Sequence, residues 1–148
     1  MAKLLENVDL GKKDGSLEKA QIALNGKLVA LYFSASWCPP CRRFTPILKD
    51  FYEEVGNDEF EIIFVSSDNS IDDLLKYMRD SHGDWYFMSS DNPKTESLKT
   101  KYAVQSIPKL VVIREDGSIV SDDARNEIQG KKTAPNALLR KWKNQKRS

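Results

Sequence analysis

The sequence predicts an α/β fold: a central mixed sheet of mainly parallel strands with a terminal antiparallel hairpin, helices on both faces, and one domain over residues 1–148. Three observations predict it. Apolar runs at residues 28–33, 60–65 and 110–113 have the length and β-branched or aromatic content of strands covered on both faces. Between them lie longer stretches with apolar residues three and four apart, the period of a helix with one buried face. After the last run, Asp116-Gly117 turns the chain into Ser118-Ile119-Val120, a hairpin signal. Strands alternating with helices build parallel units, to which the hairpin adds an antiparallel edge.

The elements follow in order. Asn25-Gly26 is a turn ahead of the run 28–33. Phe44, Ile47, Leu48, Phe51, Tyr52 and Val55 give residues 41–55 helical periodicity, with Pro46 inside the helix and expected to kink it. Gly56-Asn57-Asp58 ends that helix before the strand 60–65. Ser70 is an N-cap for a helix over 71–80 that buries Leu74, Leu75 and Met78. Residues 85–88 form a brief strand or a loop anchor, and Pro93 opens a helix over 93–102. A final amphipathic segment, 135–143, runs through Ala137, Leu138 and Trp142. No repeat or Pro/Gly-rich linker interrupts the chain.

Composition excludes several classes. Lys and Arg number 23 against 22 Asp and Glu, and a net charge of +1 offers no broad footprint for a nucleic-acid backbone. The apolar runs are far shorter than the roughly 20 residues of a membrane span. Leu4-Leu5 is followed at once by Glu6 and Asn7, so no signal-peptide apolar region is expected. The expected compartment is the cytoplasm, and also the nucleus. A reducing compartment argues against a disulfide framework, which makes the two cysteines informative.

They are Cys38 and Cys41, within Trp37-Cys38-Pro39-Pro40-Cys41, where the first buried strand gives way to a helix. The first turn of a helix has unpaired N–H groups and a partial positive charge, both favouring thiolate over thiol. Spacing of three puts both sulfurs on one side, close enough to bridge. Two other readings compete. A Cys-x-x-Cys pair is half of many zinc sites, although only His82 and carboxylates remain to complete one; and a buried pair can be inert filling. Ile107-Pro108 stands before the strand 110–113. A trans proline would start that strand, whereas a cis bond would make a tight turn presenting the Ile107 backbone to an incoming chain.

Together these residues carry a resemblance. The motif Trp-Cys-x-x-Cys after a buried strand, Pro46 five residues beyond, and Ile107-Pro108 resemble the thioredoxin superfamily. Tyr32-Phe33-Ser34-Ala35-Ser36 ahead of the Pro-Pro dithiol narrows it to the tryparedoxin and nucleoredoxin branch. Phe64-Val65-Ser66-Ser67-Asp68 is more similar to nucleoredoxin, and the similarity runs over about residues 24–125. It implies a thioredoxin fold and reduction of protein disulfides. Cys38 would be the exposed nucleophile and Cys41 the resolving cysteine. Trp37, Pro39, Pro40, Ile107 and Pro108 would meet the substrate. It also places Arg125 loosely at an arginine that tryparedoxins use near a dithiol substrate.

Two departures stand out. Thioredoxins carry a buried aspartate six residues before the first cysteine; here that residue is Tyr32, as in tryparedoxins. The group that accepts the Cys41 proton is thereby open, with Asp68 as a substitute; the competing reading makes Asp68 a loop cap beside Ser70. The segment Ser81-His82-Gly83-Asp84-Trp85-Tyr86 lacks the prolines of relatives, which makes Trp85 a packing residue. His82, followed by Gly83, reads as a charged cap at a helix C-terminus. Arg140, Lys141, Lys143, Lys146 and Arg147 read as a solvated helix end, with a nuclear address or acidic-partner contact as the alternative. Gly11 to Gly15 lacks the spacing of a phosphate loop.

The expected function is a thiol–disulfide oxidoreductase, probed against a second class: a redox-regulated binding module of nucleoredoxin type with little turnover. No flavin, nicotinamide or metal site is evident, so the expected cofactor is none beyond the reversible Cys38–Cys41 disulfide, reset by an external reductant. The expected partners are disulfide-containing proteins and an upstream reductase, glutathione or another dithiol such as trypanothione. Neither nucleic acid nor membrane is expected as a partner, and the chain is expected to be a monomer.

Overall fold

A computed structural model describes residues 4–145. Its elements are β1 (Asp9–Gly11), β2 (Leu17–Lys19), α1 (Ala20–Ala23), β3 (Leu28–Ser34), α2 (Pro39–Val55), β4 (Phe60–Ser66), α3 (Ile71–Ser81), β5 (Tyr86–Met88), α4 (Pro93–Lys101), β6 (Lys109–Ile113), β7 (Ile119–Ser121), α5 (Ala124–Gln129) and α6 (Pro135–Asn144). The strands form one sheet in the order β2-β1-β5-β4-β3-β6-β7.

Strand β3 is the axis of the fold because both its faces are apolar. Ala30 and Tyr32 face a core with Phe44, Leu48 and Phe51 of α2, Leu74 and Met78 of α3, and Trp142 of α6. Val29, Leu31 and Phe33 face a second core with Ala20 and Ala23 of α1 and Leu98 of α4. Helices therefore cover both faces, as expected. Aromatic packing fixes the first core, where Phe51 and Phe60 meet edge to face at 5.8 Å and Trp142 lies 5.5 Å from Phe51.

The sheet is mixed, as expected, with parallel and antiparallel pairs. Parallel pairing is confined to β3–β4 and β4–β5. The pairings β1–β2, β1–β5, β3–β6 and β6–β7 are antiparallel. Alternation of strand and helix fixes no direction when the connection is long, and residues 102–108 let the chain turn back before β6. That reversal positions the site: Phe33 pairs with Lys109, so Ile107 and Pro108 arrive at the C-terminal end of β3.

The N-terminal hairpin β1–β2 and the short helices α1 and α5 are absent from the sequence reading. The hairpin did have a signal in Asp14-Gly15, with Gly15 at φ 89° and the Gly15 N–H donating to Lys12 O. Helix α2 runs unbroken through Pro46. Lys141 and Lys143 pair with Glu127 and Glu59, which favours the helix-end reading of the basic cluster, while Lys146 and Arg147 lie outside the described residues. Among the described residues no helix is long and apolar enough to cross a membrane.

Gly83 has a packing role. A Cβ there would lie 2.6 Å from the ring of Trp85, which is fully buried and cannot swing away. Gly83→Ala is expected to destabilise the fold by about 1–3 kcal/mol, the range for overpacking a filled core. Denaturant unfolding measures it.

Candidate active site

The dithiol forms where β3 hands the chain to α2. Cys38 is the N-cap of α2, in extended conformation, and Pro39 and Pro40 occupy the first two helical positions. A helix begins with N–H groups that have no partner inside it. The two prolines have no N–H, and the Arg42 N–H already donates to Cys38 O at 3.0 Å. The Cys41 N–H alone is left in the first turn, and it donates to Cys38 Sγ at 3.3 Å. The residues between the cysteines thus concentrate the donor capacity and positive end of the helix on one sulfur.

The two sulfurs are joined as a disulfide, with Cα atoms 5.2 Å apart. Cys38 keeps 5% exposure and Cys41 none, so an incoming group reaches Cys38 first. Ala35, Cys38 and Cys41 form a small apolar cluster against Ile107. The Ile107–Pro108 bond is cis, and Ile107 O lies 3.8 Å from Cys38 Sγ. Trp37, next to Cys38 in the chain, is 54% exposed, with its indole N–H donating to Ser67 O at 3.0 Å.

Trp37, Pro39 and Pro40 flank Cys38 in the chain, and the structure brings Ile107 against it. Ile107 is half-buried and Pro108 buried. Arg125 packs across the ring of Phe44, its guanidinium carbon 6.0 Å from the centroid. Its Nε is buried without a hydrogen-bond partner among the described residues.

Behind Cys41 lies a buried cluster of hydroxyls that the sequence reading missed apart from Tyr32. Thr45 Oγ1 donates to Cys41 O at 2.9 Å and lies 2.7 Å from the Tyr32 hydroxyl and 2.6 Å from that of Tyr77. Tyr77 continues to Ser34 Oγ at 2.9 Å. Burial, followed by the neighbouring Tyr77, pushes the Tyr32 phenol above its usual range. Tyr32 therefore remains a neutral donor and is no base for the Cys41 proton. Tyr77 had one available signal, an apolar-face position one turn after Leu74 on α3.

Asp68 is buried, and its bonds have the form of the loop-cap reading. Its Oδ1 accepts from Ser36 N at 2.7 Å and from Ser36 Oγ at 2.5 Å, and its Oδ2 accepts from Ser66 Oγ at 2.8 Å. The helix cap of α3 is Ser70 itself, whose Oγ accepts from Asp73 N. Asp68 is thus fastened to the loop carrying Trp37, and its oxygens are occupied by Ser36 and Ser66.

The expectation for His82 is corrected. It ends α3, as expected, but it is buried and carries no charge. Its Nδ1 accepts from the Trp85 indole N–H at 2.9 Å, and burial, with a smaller contribution from Lys13, lowers its pKa to about 3. Trp85 is a packing residue, as expected. Among the described residues, no group of three or more His, Cys, Asp or Glu is placed to hold a metal ion.

A strand-end dithiol at a helix N-terminus, beside a cis proline turn, defines the class of thiol–disulfide redox proteins with this fold. The chain belongs to the thioredoxin-like family: a family profile described as Thioredoxin-like matches residues 25–119. A tryparedoxin of Trypanosoma brucei brucei is 42% identical over 110 residues, 72% of this chain and 74% of that protein. A nucleoredoxin of Bos taurus is 37% identical over 116 residues, 76% of this chain, so the matched region is only 26% of that longer relative. Among solved structures, a thioredoxin from Wuchereria bancrofti superposes with a TM-score of 0.84 at 52% identity, covering 95% of this chain and 97% of that one. Within that family the chain is similar to the tryparedoxin and nucleoredoxin branch.

The buried His82 gives a pH dependence whose sign is fixed. The unfolded chain protonates this histidine near 6.5, whereas the folded one resists protonation down to about 3. The unfolded state therefore binds the extra proton between those values, and stability is lost as pH falls below 6.5. The loss from this group is about 1.4 kcal/mol per pH unit. His82→Asn keeps an acceptor for Trp85 but does not titrate. The stability difference between wild type and variant, measured by denaturant unfolding from pH 7 to pH 4, should narrow with that slope.

Proposed function

We propose that the protein reduces disulfide bonds in other proteins. The observation that carries this reading is the single free N–H of the first α2 turn directed at Cys38 Sγ, the more accessible of two bridged sulfurs. In the reduced protein that N–H and the helix end stabilise a Cys38 thiolate. The thiolate attacks one sulfur of a substrate disulfide; the Cys38–substrate bond forms, and the other substrate sulfur leaves and takes a proton. Cys41 then loses its proton as it attacks Cys38 Sγ, releasing the second substrate thiolate. Two electrons have passed to the substrate, and the Cys38–Cys41 disulfide remains.

Trp37 and Ile107 flank the reacting sulfur as apolar contacts, and Ile107 O is an acceptor for a substrate backbone N–H. Arg125 on Phe44 supplies a cation at the α2 side for a polar or acidic substrate group. The reductant comes from outside the chain. A tryparedoxin II structure is described as complexed with glutathionylspermidine, which supports a low-molecular-weight thiol in that role. Glutathione and a reductase are the other classes to compare. We place the protein in the cytoplasm, and also the nucleus, as a monomer. A second reading, a redox-regulated binding module, draws on the similarity to nucleoredoxin and the exposed Trp37. It requires partner capture that differs between the reduced and oxidised protein.

Cys38→Ser should abolish reduction of insulin disulfides, and Cys41→Ser should accumulate a mixed disulfide with the substrate, seen as a mass increase that a reducing agent removes. Retained turnover in Cys38→Ser would overturn the mechanism. Running the assay with trypanothione, glutathione and thioredoxin reductase side by side identifies the electron donor.

A further inference from the structure

We propose that Asp68 is a positioning residue for substrate binding: together with Arg42 it holds Ser36 at both ends and so fixes the turn that presents Trp37. The proposal rests on the disulfide-reductase reading above. The turn is built from Ala35 to Cys38 and closed by the Cys38 N–H donating to Ala35 O at 3.3 Å, with Ser36 and Trp37 at its centre. Such a turn at a strand end is free to flap unless something outside it holds it. Ser36 is held from opposite sides by opposite charges. The Asp68 carboxylate takes its N–H and hydroxyl, while Arg42 Nη1 donates to its carbonyl at 2.6 Å.

The holding group is itself held. Asp68 is 3% exposed, its N–H donates to Ser66 Oγ at 2.9 Å, its second carboxylate oxygen accepts from the same hydroxyl, and its carbonyl accepts from Ser90 Oγ at 2.9 Å. Ser67, between them, donates its N–H to Ser34 O and accepts the Trp37 indole N–H on its carbonyl. The loop after β4 therefore grips the loop after β3 at Ser34, Ser36 and Trp37. A buried carboxylate whose oxygens are spent on one neighbouring turn contributes through that turn, and the group the turn exposes is the indole beside Cys38. Charge-assisted hydrogen bonds are the stronger kind, so this contact dominates the grip.

The test uses the full chain, reduced beforehand and mixed with rising concentrations of insulin, so that no external reductant enters the rate. Asp68→Ala should weaken the half-saturating concentration about tenfold, the scale of one charge-assisted hydrogen bond, while the limiting rate changes less than about twofold. Trp85 and Trp142 are buried and Trp37 is exposed, so iodide quenching reads Trp37. Its quenching should rise in Asp68→Ala. Asp68→Asn keeps a neutral oxygen for Ser36 and should recover part of the affinity. Arg42 is exposed, and Arg42→Ala should shift affinity in the same direction, which keeps the test available if Asp68→Ala fails to fold. Unchanged saturation and quenching in folded Asp68→Ala, or in Arg42→Ala where the first does not fold, would overturn the proposal, as would a loss confined to the limiting rate. An inactive wild-type protein would instead overturn the reductase reading.

Discussion

A single backbone N–H, that of Cys41, points at the sulfur of Cys38, and the rest of the site is arranged around that direction. It requires a helix that starts at Cys38, two residues that withhold their own N–H groups, and a buried strand that delivers the chain at the right place. Proline at 39 and 40 provides the second condition by chemistry alone. Strand β3, apolar on both faces and paired on both edges, provides the third. Redox chemistry follows because a thiolate at that point is favoured by the same N–H and the same helix end.

The surroundings divide the labour between charge and neutrality. Beneath Cys41 the polar groups are hydroxyls that satisfy one another and the Cys41 carbonyl, which lets the interior be polar without holding a buried charge. Asp68, buried, and Arg42, exposed, act on the backbone of Ser36, and Arg125 lies across Phe44. A tyrosine at position 32 is consistent with this division, since its phenol stays protonated and donates.

Much of this was legible in the sequence. The principal strands and helices followed from apolar period, and the dithiol, the helix end and the Ile107-Pro108 turn from local motifs. The antiparallel run of β6 beside β3 was not, because the turn of residues 102–108 is set by packing on β3. Nor was the state of His82: a histidine before glycine at a helix end looks like a charged cap until Trp85 and the aromatic rings around it exclude water. Asp68 reads from the sequence as a substitute proton acceptor or a loop cap, but the choice of Ser36 as its partner depends on β3 and β4 ending side by side, at Ser34 and Ser66.

By itself, then, the sequence determined what is local: which residues form the buried strands, that a helix begins at Cys38, and that Pro39 and Pro40 leave Cys41 as the first donor. Those properties depend on neighbours within one turn or one strand. Tertiary structure decided what joins distant segments: Ile107 O beside Cys38, Asp68 on Ser36, and Tyr32, Thr45, Tyr77 and Ser34 as one cluster. Hydrogen bonds and burial reach only a few ångströms, so partners tens of residues apart are chosen by the register and layering of the sheet.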